Sequence, residues 1–420
     1  MVIQAFIPYA YGHGKKRFRR QNIKIEKDFF KFASTSGWKL PEINKANKNT
    51  QTKTNNMDQN QLQFIVSQFD IKGTVTEVKP LGNGLINDTF KVTTAESDCP
   101  DYVLQRINNA IFTDVAMLMR NITTVTTHIK LKLMENGETD IERKVLNFRL
   151  TKETGKPYFK TTEETYWRIM DFIPGAITKS EVNPESSHDV GIAFGNFQAM
   201  LADLPFELGE TIPNFHNMEF RLSQLRDAVK ADRVGRVAEV KDLIDAIERD
   251  ADEMCKGEQL YRQGILPKRI CHCDTKVDNL MFEPDGSVLC VIDLDTVMPN
   301  FVFSDIGDFL RSAANTGRED DENLDNVNFN FEIFAAFVDG YLESTRSFLL
   351  PVERENIPYA AKLFPYMQAV RFLADYLDGD RYYKIQYPTH NLVRTKAQFK
   401  LYESVKANEA KMAEFIAKQQ

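Results

Sequence analysis

The segment from His272 to Asn279 carries the side chains best suited to chemistry. It reads His-Cys-Asp-Thr-Lys-Val-Asp-Asn, which places Asn279 five residues after Asp274. A positioned carboxylate can accept the proton of an attacking hydroxyl, and a nearby amide oxygen can bind Mg²⁺ beside nucleotide phosphates. The spacing therefore predicts a phosphoryl-transfer site in which Asp274 is the catalytic base and Asn279 is a metal ligand.

A β-hairpin is expected to bring a second metal ligand, Asp293, to the same place. Two apolar runs follow Asn279 and are joined by a Pro-Asp-Gly-Ser turn. If Glu283 pairs with Val288, Asn279 lies opposite Ile292 and beside Asp293. Asp and Asn residues taken singly are also typical of turns and helix caps. The combination at this spacing favours phosphoryl transfer.

A glycine-containing turn lies further upstream, in the first predicted hairpin. Gly82, Asn83 and Gly84 are followed by Asn87 three residues later. Glycine lets the backbone approach nucleotide phosphates closely, although the same residues are typical of a plain hairpin turn. Because this turn precedes the catalytic segment in the order found in kinases, we predict that Gly82, Asn83 and Gly84 contact the nucleotide.

The elements that must position these segments form an α+β chain in two parts. Alternating apolar residues predict an antiparallel meander, a helix and two more strands before a break at Pro174-Gly175. Helical spacing dominates afterwards, apart from the β segment that holds the catalytic residues. We predict strands at 74–78, 88–92, 102–104, 147–150 and 166–170, and helices at 113–133, 190–201, 220–230, 237–262, 331–347, 359–377 and 395–418.

Charge separates residues 1–56 from the rest of the chain. Twelve basic and three acidic residues give this segment a charge of +9, and since the whole chain carries −7, residues 57–420 carry −16. The Asn/Lys/Thr-rich composition predicts a disordered basic extension, with a nucleic-acid or lipid anchor as the alternative. The acidic body argues against a nucleic-acid face, and no run is apolar enough to span a membrane. Five cysteines without a C-x-x-C pair favour a cytoplasmic protein.

Four segments together resemble the aminoglycoside phosphotransferase-like kinases, most closely the N-acetylhexosamine 1-kinase branch. They are residues 81–90 (LGNGLINDTF), 102–108 (YVLQRIN), 274–279 (DTKVDN) and 293–299 (DLDTVMP), and the run RFLADYL at 371–377 is among the most specific parts. The resemblance covers about residues 60 to 405. It implies a bilobal protein-kinase-like fold, with residues 57–173 as the nucleotide-binding lobe and residues 174–420 as the lobe that holds the catalytic loop, the metal and the sugar.

The resemblance also implies how the nucleotide is bound. ATP is then the co-substrate, Mg²⁺ is held by Asn279 and Asp293, and a hinge that includes Met170 and Phe172 meets the adenine. One departure concerns the third strand, where kinases have a lysine and this chain has Gln105. In a regular strand Arg106 points to the opposite face. Two outcomes are open: Gln105 and backbone amides hold the phosphates, or a bulge turns Arg106 inward.

The acceptor site is expected to present polar groups to sugar hydroxyls. The candidates are Asp295 and Thr296, just past the metal ligand, together with Arg371 and Tyr376 on a late helix. Arg371 and Asp375 lie four residues apart, so an ion pair within the helix is the alternative for that arginine. Asp305 and Asp308 are expected to support the catalytic segment from beneath.

These inferences predict a kinase that phosphorylates the anomeric hydroxyl of an N-acetylhexosamine. One alternative keeps the chemistry and changes the acceptor to an aminoglycoside, choline, homoserine or another small alcohol. The other is a protein that binds nucleotide without turnover. Gln105 in place of a lysine favours this last possibility, whereas the intact Asp274, Asn279 and Asp293 speak against it.

Overall fold

A five-stranded antiparallel sheet forms the N-terminal part of the described chain. The structure is a computed structural model that describes residues 58–82 and 86–419. The strands are β1 (Val75–Pro80), β2 (Asp88–Thr94), β3 (Tyr102–Ile107), β4 (Phe159–Lys160) and β5 (Tyr166–Asp171), in the order β1-β2-β3-β5-β4. The predicted extension over residues 1–56 and the turn residues Asn83 and Gly84 lie outside the described residues.

Three helices accompany this sheet in the N-terminal part of the described chain. They are α1 (Gln59–Ser67), α2 (Val115–Glu135) and the short α3 (Ile141–Lys144). α2 begins where the Asp114 carboxylate accepts the Met117 amide N–H at 2.8 Å, which satisfies one of the free donors of its first turn. The apolar side of α2 shares one buried core with Ile107 of β3 and Met170 of β5. The sheet and α2 therefore form one packed unit.

The C-terminal part is mainly helical and contains short strands. Its helices are α4 (Pro184–Leu201), α5 (Met218–Ala231), α6 (Lys241–Met254), α7 (Lys256–Arg262), α8 (Phe303–Ala313), α9 (Phe331–Thr345), α10 (Pro351–Glu355), α11 (Ile357–Asp378), α12 (His390–Ala407) and α13 (Glu409–Lys418). The strands are β6 (Arg269–Cys271), β7 (Leu280–Phe282), β8 (Val288–Val291) and β9 (Met298–Asn300), paired as β6 with β9 and β7 with β8. No helix of the described part is long and apolar enough to cross a membrane.

Two glycines allow helices α4 and α9 to approach each other closely. A Cβ atom at Gly191 would lie 2.2 Å from the Phe337 carbonyl oxygen, and one at Gly340 would lie 2.1 Å from the His188 carbonyl oxygen. Any larger residue would force the two backbones apart. The contact fixes α4, which carries Gln198 towards the catalytic segment.

The predicted α+β architecture is confirmed, whereas the strand predicted at 147–150 and the single helices predicted at 237–262 and 395–418 were wrong. The predicted strand at 147–150 forms only an isolated bridge, between Phe148 and Met170. The predicted helix at 237–262 is interrupted, because one helix ends at Met254 and the next begins at Lys256. At this break the Tyr359 hydroxyl donates to the Met254 carbonyl at 2.7 Å and accepts the Gly257 amide at 3.1 Å. The predicted helix at 395–418 is divided between α12 and α13.

Candidate active site

The predicted base lies in the loop between β6 and β7. Asp274 accepts two contacts on its carboxylate: Asn279 Nδ2 at 2.9 Å and Lys276 Nζ at 3.1 Å. Asn279 Nδ2 also donates to the Asp274 carbonyl at 2.8 Å, so this amide closes the loop on itself. Lys276 was not assigned a role from the sequence, although its position two residues after Asp274 was the available signal. The loop therefore holds the carboxylate between an amide donor and an ammonium group.

Asp305, at the start of α8, holds this loop from beneath. Its carboxylate accepts the His272 amide at 2.9 Å, the Cys273 amide at 2.8 Å and Gln198 Nε2 at 2.6 Å. Cys273 has a φ of +62°, a conformation that costs a non-glycine residue free energy and is found where surrounding contacts impose it. Burial raises the pKa of Asp305, and these donors oppose that effect. The expected support of the catalytic segment is thus present as direct hydrogen bonds.

The β7–β8 hairpin carries the two predicted metal ligands. Leu280 pairs with Val291, and the Ile292 amide donates to the Asn279 carbonyl at 2.9 Å, which places Asp293 next to Asn279 as predicted. The predicted pairing of Glu283 with Val288 was wrong, because a bulge shifts the register and the Glu283 amide donates to Ser287 instead. The irregularity lies at the turn and leaves the ligand end of the hairpin in register.

His272 ties the catalytic loop to the segment that follows β8 and carries Asp293. Its Nε2 lies 2.8 Å from the Ile292 carbonyl oxygen, and its Nδ1 accepts the Asp274 amide at 3.3 Å. The carbonyl can only accept, so Nε2 carries the proton and Nδ1 is the acceptor. The ring therefore fixes Asp274 relative to Ile292 and hence to Asp293.

Asp293 occupies a strained and electrostatically unfavourable position. Its φ of +56° is in the left-handed region. Desolvation by the surrounding protein, together with the charges of Asp295 and Asp274, raises its pKa to about 6, although the residue is exposed to solvent. Within the described residues, no hydrogen-bond donor contacts this carboxylate or the Asn279 amide oxygen. An unpartnered carboxylate and an unpartnered amide oxygen beside surplus negative charge are a donor set that suits Mg²⁺.

Asp295 and Thr296 are engaged inside the protein, and their role as acceptor ligands stays a prediction. The Asp295 carboxylate is buried, pairs with the Arg168 guanidinium and accepts Asn87 Nδ2 at 2.7 Å. The Thr296 hydroxyl donates to the His272 carbonyl at 2.8 Å. Because these polar groups already have partners, we do not carry either residue into the acceptor site.

Strand β3 is regular, which argues against the bulge that would turn Arg106 inward. β3 pairs continuously with β2 and with β5 from Tyr102 to Arg106. Arg106 pairs with Asp88, at 3.6 Å, and its side chain is partly exposed. Gln105 lies on the other face and donates to the Thr89 hydroxyl at 3.2 Å. The structure therefore does not turn Arg106 inward.

The remaining predicted nucleotide residues lie along the same side of the sheet and at its end. Gly82 has a φ of +68°, which glycine adopts without strain, and it follows β1. Met170 is buried opposite Val103 of β3. Phe172 follows β5, and its amide donates to the Asp101 carbonyl at 2.9 Å. Their roles towards the nucleotide remain predictions.

Arg371 lines a cavity of about 490 Å³ beside α5 and α11. Its guanidinium carbon lies 5.4 Å from the ring centre of Phe215 and 5.7 Å from that of Tyr383. Arg221 lines the same cavity, and burial together with the charge of Arg371 lowers its pKa to about 10. The cavity therefore combines cationic donors with an aromatic wall.

Asp375 organises the loop that forms one side of this cavity. Its carboxylate accepts the amides of Arg381 and Tyr382, each at 2.8 Å, and that of Tyr383 at 3.0 Å. The alternative of an ion pair between Arg371 and Asp375 is therefore not observed, and Arg371 donates to the Gln368 side chain at 3.0 Å.

Tyr376 serves a different contact from the one predicted. Its hydroxyl lies 2.5 Å from Glu239, and the Arg236 guanidinium stacks on its ring at 4.2 Å. Burial and the neighbouring Glu239 raise its pKa to about 12. This tyrosine fastens α11 to the segment before α6, so we do not carry it into the acceptor site.

A short series of contacts links the cavity to the predicted base. Arg371 lies over the Phe215 ring, and Phe215 packs against the buried cluster of Cys271, Cys273 and Met298. The charges of Asp274 and Asp308 both raise the pKa of Lys276. The charge of Asp308 also raises the pKa of His216, against the larger effect of burial, and the His216 ring stacks on Phe215. These interactions run from Arg371, at the cavity, to residues that flank Asp274.

An antiparallel sheet with one packed helix, joined to a helical part that carries the Asp274 loop beside Asn279 and Asp293, defines a protein-kinase-like small-molecule phosphotransferase. The family model described as "Phosphotransferase enzyme family" matches residues 77–341, and the chain belongs to this family.

Solved structures share the fold at low sequence identity. An aminoglycoside phosphotransferase from Alicyclobacillus acidocaldarius is 16% identical, with a TM-score of 0.55, over 91% of this chain and 99% of that chain. Amicoumacin kinase in complex with AMP-PNP, Ca²⁺ and Ami is 13% identical, with a TM-score of 0.53, over 83% and 94%. Spectinomycin phosphotransferase in complex with ADP and spectinomycin is 14% identical, with a TM-score of 0.52, over 85% and 99%. These likenesses concern the fold.

Proposed function

We propose that the protein is an ATP- and Mg²⁺-dependent kinase that phosphorylates the anomeric hydroxyl of an N-acetylhexosamine. The observation that carries the proposal is the placement of the Asp274 carboxylate between Asn279 and Lys276, with Asp293 alongside on the hairpin. The nucleotide complexes among the structurally similar kinases support ATP as the phosphoryl donor.

Asp274 is the base of the proposed reaction. The acceptor oxygen attacks the γ-phosphorus, the bond from that phosphorus to the ADP oxygen breaks, and the hydroxyl proton passes to the Asp274 carboxylate. Asn279 Nδ2 and Lys276 Nζ hold one carboxylate oxygen each, which fixes its orientation. Each oxygen keeps a lone pair for the acceptor hydroxyl.

Asn279 and Asp293 are the residues that would hold Mg²⁺. When bound there, the ion offsets the negative charge of the nucleotide phosphates and of the transferring group. Asn279 is suited to this role because its amide nitrogen is already committed to Asp274, so its oxygen is the atom left for the metal. The carboxylate of Asp293 is also available to the metal, because no donor of the described residues contacts it.

Lys276 provides a further positive charge beside the reacting groups. Burial lowers the pKa of its ammonium group, but the charges of Asp274 and Asp308 outweigh this effect and raise the pKa overall. It therefore stays protonated at neutral pH. An ammonium group fixed next to the base can stabilise negative charge that develops on the transferring phosphoryl group.

The cavity beside Arg371 is the proposed acceptor site. Its volume of about 490 Å³ falls within the range of about 300 to 1,000 Å³ that is usual for small-molecule sites. Arginine donors suit the hydroxyls and the acetamido carbonyl of an N-acetylhexosamine, and Tyr383 offers a ring face to the sugar. The contact of Arg371 with Phe215, which packs against the cluster that includes Cys273, supports this choice.

An acceptor panel tests the proposal. ADP formation is measured with Mg·ATP and either N-acetylglucosamine, N-acetylgalactosamine, glucose, an aminoglycoside, choline or homoserine, and the product is analysed by ³¹P NMR. We expect kcat/KM for an N-acetylhexosamine to exceed that for glucose by at least about 10-fold, because a site built to bind the acetamido group leaves polar atoms unpaired without it. We also expect phosphate on C1, and a 1-deoxy analogue that binds without reacting.

The panel separates the two parts of the proposal. Preference for an aminoglycoside or an amino alcohol, or phosphate on C6, would refute the acceptor assignment and leave the kinase assignment intact. Absence of ADP formation with every acceptor, in a protein that binds Mg·ATP, would refute the kinase assignment.

A further inference from the structure

The strand position that carries the phosphate-binding lysine in kinases is occupied by Gln105, and a cation lies directly across the sheet from it. In the register of β2, β3 and β5, Thr89, Gln105 and Arg168 are direct neighbours on adjacent strands. Cross-strand neighbours point to the same face of a sheet. Arg168 Nε donates to the Gln105 side-chain oxygen at 2.9 Å, so the two side chains are in contact.

Arg168 is buried and has one carboxylate partner. Its guanidinium pairs with Asp295, which lies two residues after the proposed metal ligand Asp293. The positive charge of Arg168 also acts on Asp293 and lowers its pKa, against the effects of burial and of nearby acids. The guanidinium therefore lies within electrostatic reach of the proposed metal position.

The guanidinium retains donors that the protein does not use. Nε is committed to Gln105, and Nη1 contacts Asp295 and, at 3.9 Å, the Met119 sulfur, whereas Nη2 has no hydrogen-bond partner within the described residues. The side chain as a whole is 3% exposed. A guanidinium can bind a phosphate and a carboxylate at the same time because its donors form a planar fork.

We propose that Arg168 is the nucleotide-phosphate-binding cation of this enzyme, in place of a lysine on β3, with Asp295 as its fixed counter-ion. This inference rests on the proposed function only in taking ATP as the ligand. The cation then comes from β5 and its carboxylate partner from the segment after Asp293, so that the pair bridges the sheet and the catalytic part of the chain. Asn87, which donates to the other oxygen of Asp295, anchors the end of the glycine-containing turn to the same pair.

Other cations on this sheet are less suited to the role. Arg106 lies on the opposite face and pairs with Asp88. Lys91 is on the same face as Gln105, but it pairs with Asp101 at 2.9 Å and lies over the Phe172 ring at 4.4 Å, towards the hinge. Lys276 belongs to the catalytic loop and contacts Asp274. Arg168 is therefore the cation in contact with both Gln105 and the segment after Asp293.

The test compares binding of a phosphorylated and an unphosphorylated ligand by calorimetry. For Arg168→Met we expect the Kd of Mg·ADP to rise at least about 10-fold, as expected for loss of charged hydrogen bonds, while the Kd of adenosine stays within about 3-fold. Arg106→Met removes the same charge from the other face of the sheet and is the matched control, with both affinities within about 3-fold of wild type. Gln105→Lys combined with Arg168→Met should restore Mg·ADP binding to within about 3-fold, because it places a cation at the neighbouring position.

A second variant serves as the control for misfolding, because it leaves no unpaired buried charge. Arg168→Met leaves the Asp295 carboxylate unpaired, so Arg168→Met with Asp295→Asn is measured as well, and it should show the same selective loss of Mg·ADP binding. Equal weakening of adenosine and Mg·ADP in the double variant, or unchanged Mg·ADP binding, would overturn the inference. These measurements require no turnover, so failure of the acceptor panel with an Arg168-dependent Mg·ADP affinity would refute the proposed function alone.

Discussion

Removal of the charge at Asp305 is predicted to slow the reaction more than it destabilises the protein. Asp305→Ala would leave three buried donors without an acceptor: the amides of His272 and Cys273 and the side chain of Gln198. At about 1 to 3 kcal/mol for each unpaired group, the loss approaches the whole stability of a typical domain, so this variant is expected not to fold well. Asp305→Asn is the informative change.

The asparagine variant should lose one of the three contacts. Its amide oxygen can keep the position of Oδ2, which accepts both His272 and Gln198, while its amide nitrogen then faces the Cys273 amide, donor against donor. We expect a loss of about 1 to 3 kcal/mol of unfolding free energy, measured by denaturant titration. Cys273 is held at positive φ next to Asp274, so its release moves the base. Displacements near 1 Å cost about 10²-fold, and we expect kcat to fall at least about 10-fold.

Asp250→Asn is the matched control for this prediction. Asp250 accepts the Tyr402 hydroxyl at 2.7 Å and Lys406 Nζ at 2.9 Å, between α6 and α12. We expect it to lower stability without changing kcat. If Asp305→Asn lowers stability by as much as the control and leaves kcat unchanged, the catalytic loop does not depend on Asp305 and the reasoning is refuted.

Three further predictions concern the metal and acceptor sites. Asp293→Ala should weaken Mg·ADP binding far more than adenosine binding, and equal losses for both ligands in calorimetry would make Asp293 structural. The affinity of the wild type for Mg·ADP should also fall as the pH drops below about 6, because the pKa of Asp293 is raised to about 6 and its protonated form does not bind metal. Arg371→Ala should raise the acceptor KM about 10-fold and leave the ATP KM within about 3-fold in initial-rate assays, and a parallel rise in both would contradict its place in the acceptor cavity. Asp375→Asn should weaken acceptor binding and speed proteolysis within residues 379–389, because three loop amides depend on its carboxylate; an unchanged cleavage rate would argue against that dependence.

Features that depend on neighbouring residues could be predicted from the sequence. The hairpin from Leu280 to Val291 is defined by its turn and by alternating apolar residues, so the position of Asn279 beside Asp293 followed from local pairing. The meander and the helical part followed from periodicity in the same way. The register error was confined to the turn, where a bulge depends on local backbone detail.

Features that depend on distant residues could not be predicted. Asp295 meets Arg168, 127 positions away, and Asn87, 208 positions away, so nothing in its own segment indicated that its carboxylate was already paired. The contact of Arg168 with Gln105 joins residues 63 positions apart. In the same way, the i,i+4 spacing of Arg371 and Asp375 left a pair within the helix open, whereas in the fold Asp375 accepts the amides of a loop beyond the helix.

The most direct test of the account is the single-turnover rate of Asp274→Asn at saturating Mg·ATP with the best acceptor from the panel. The variant keeps the size of the side chain and removes its ability to take a proton. We predict a rate at least about 10²-fold below that of the wild type, with the Kd of Mg·ADP within about 3-fold. A variant that retains more than about a tenth of the wild-type rate would contradict the assignment of Asp274 as the base, and with it the proposed mechanism.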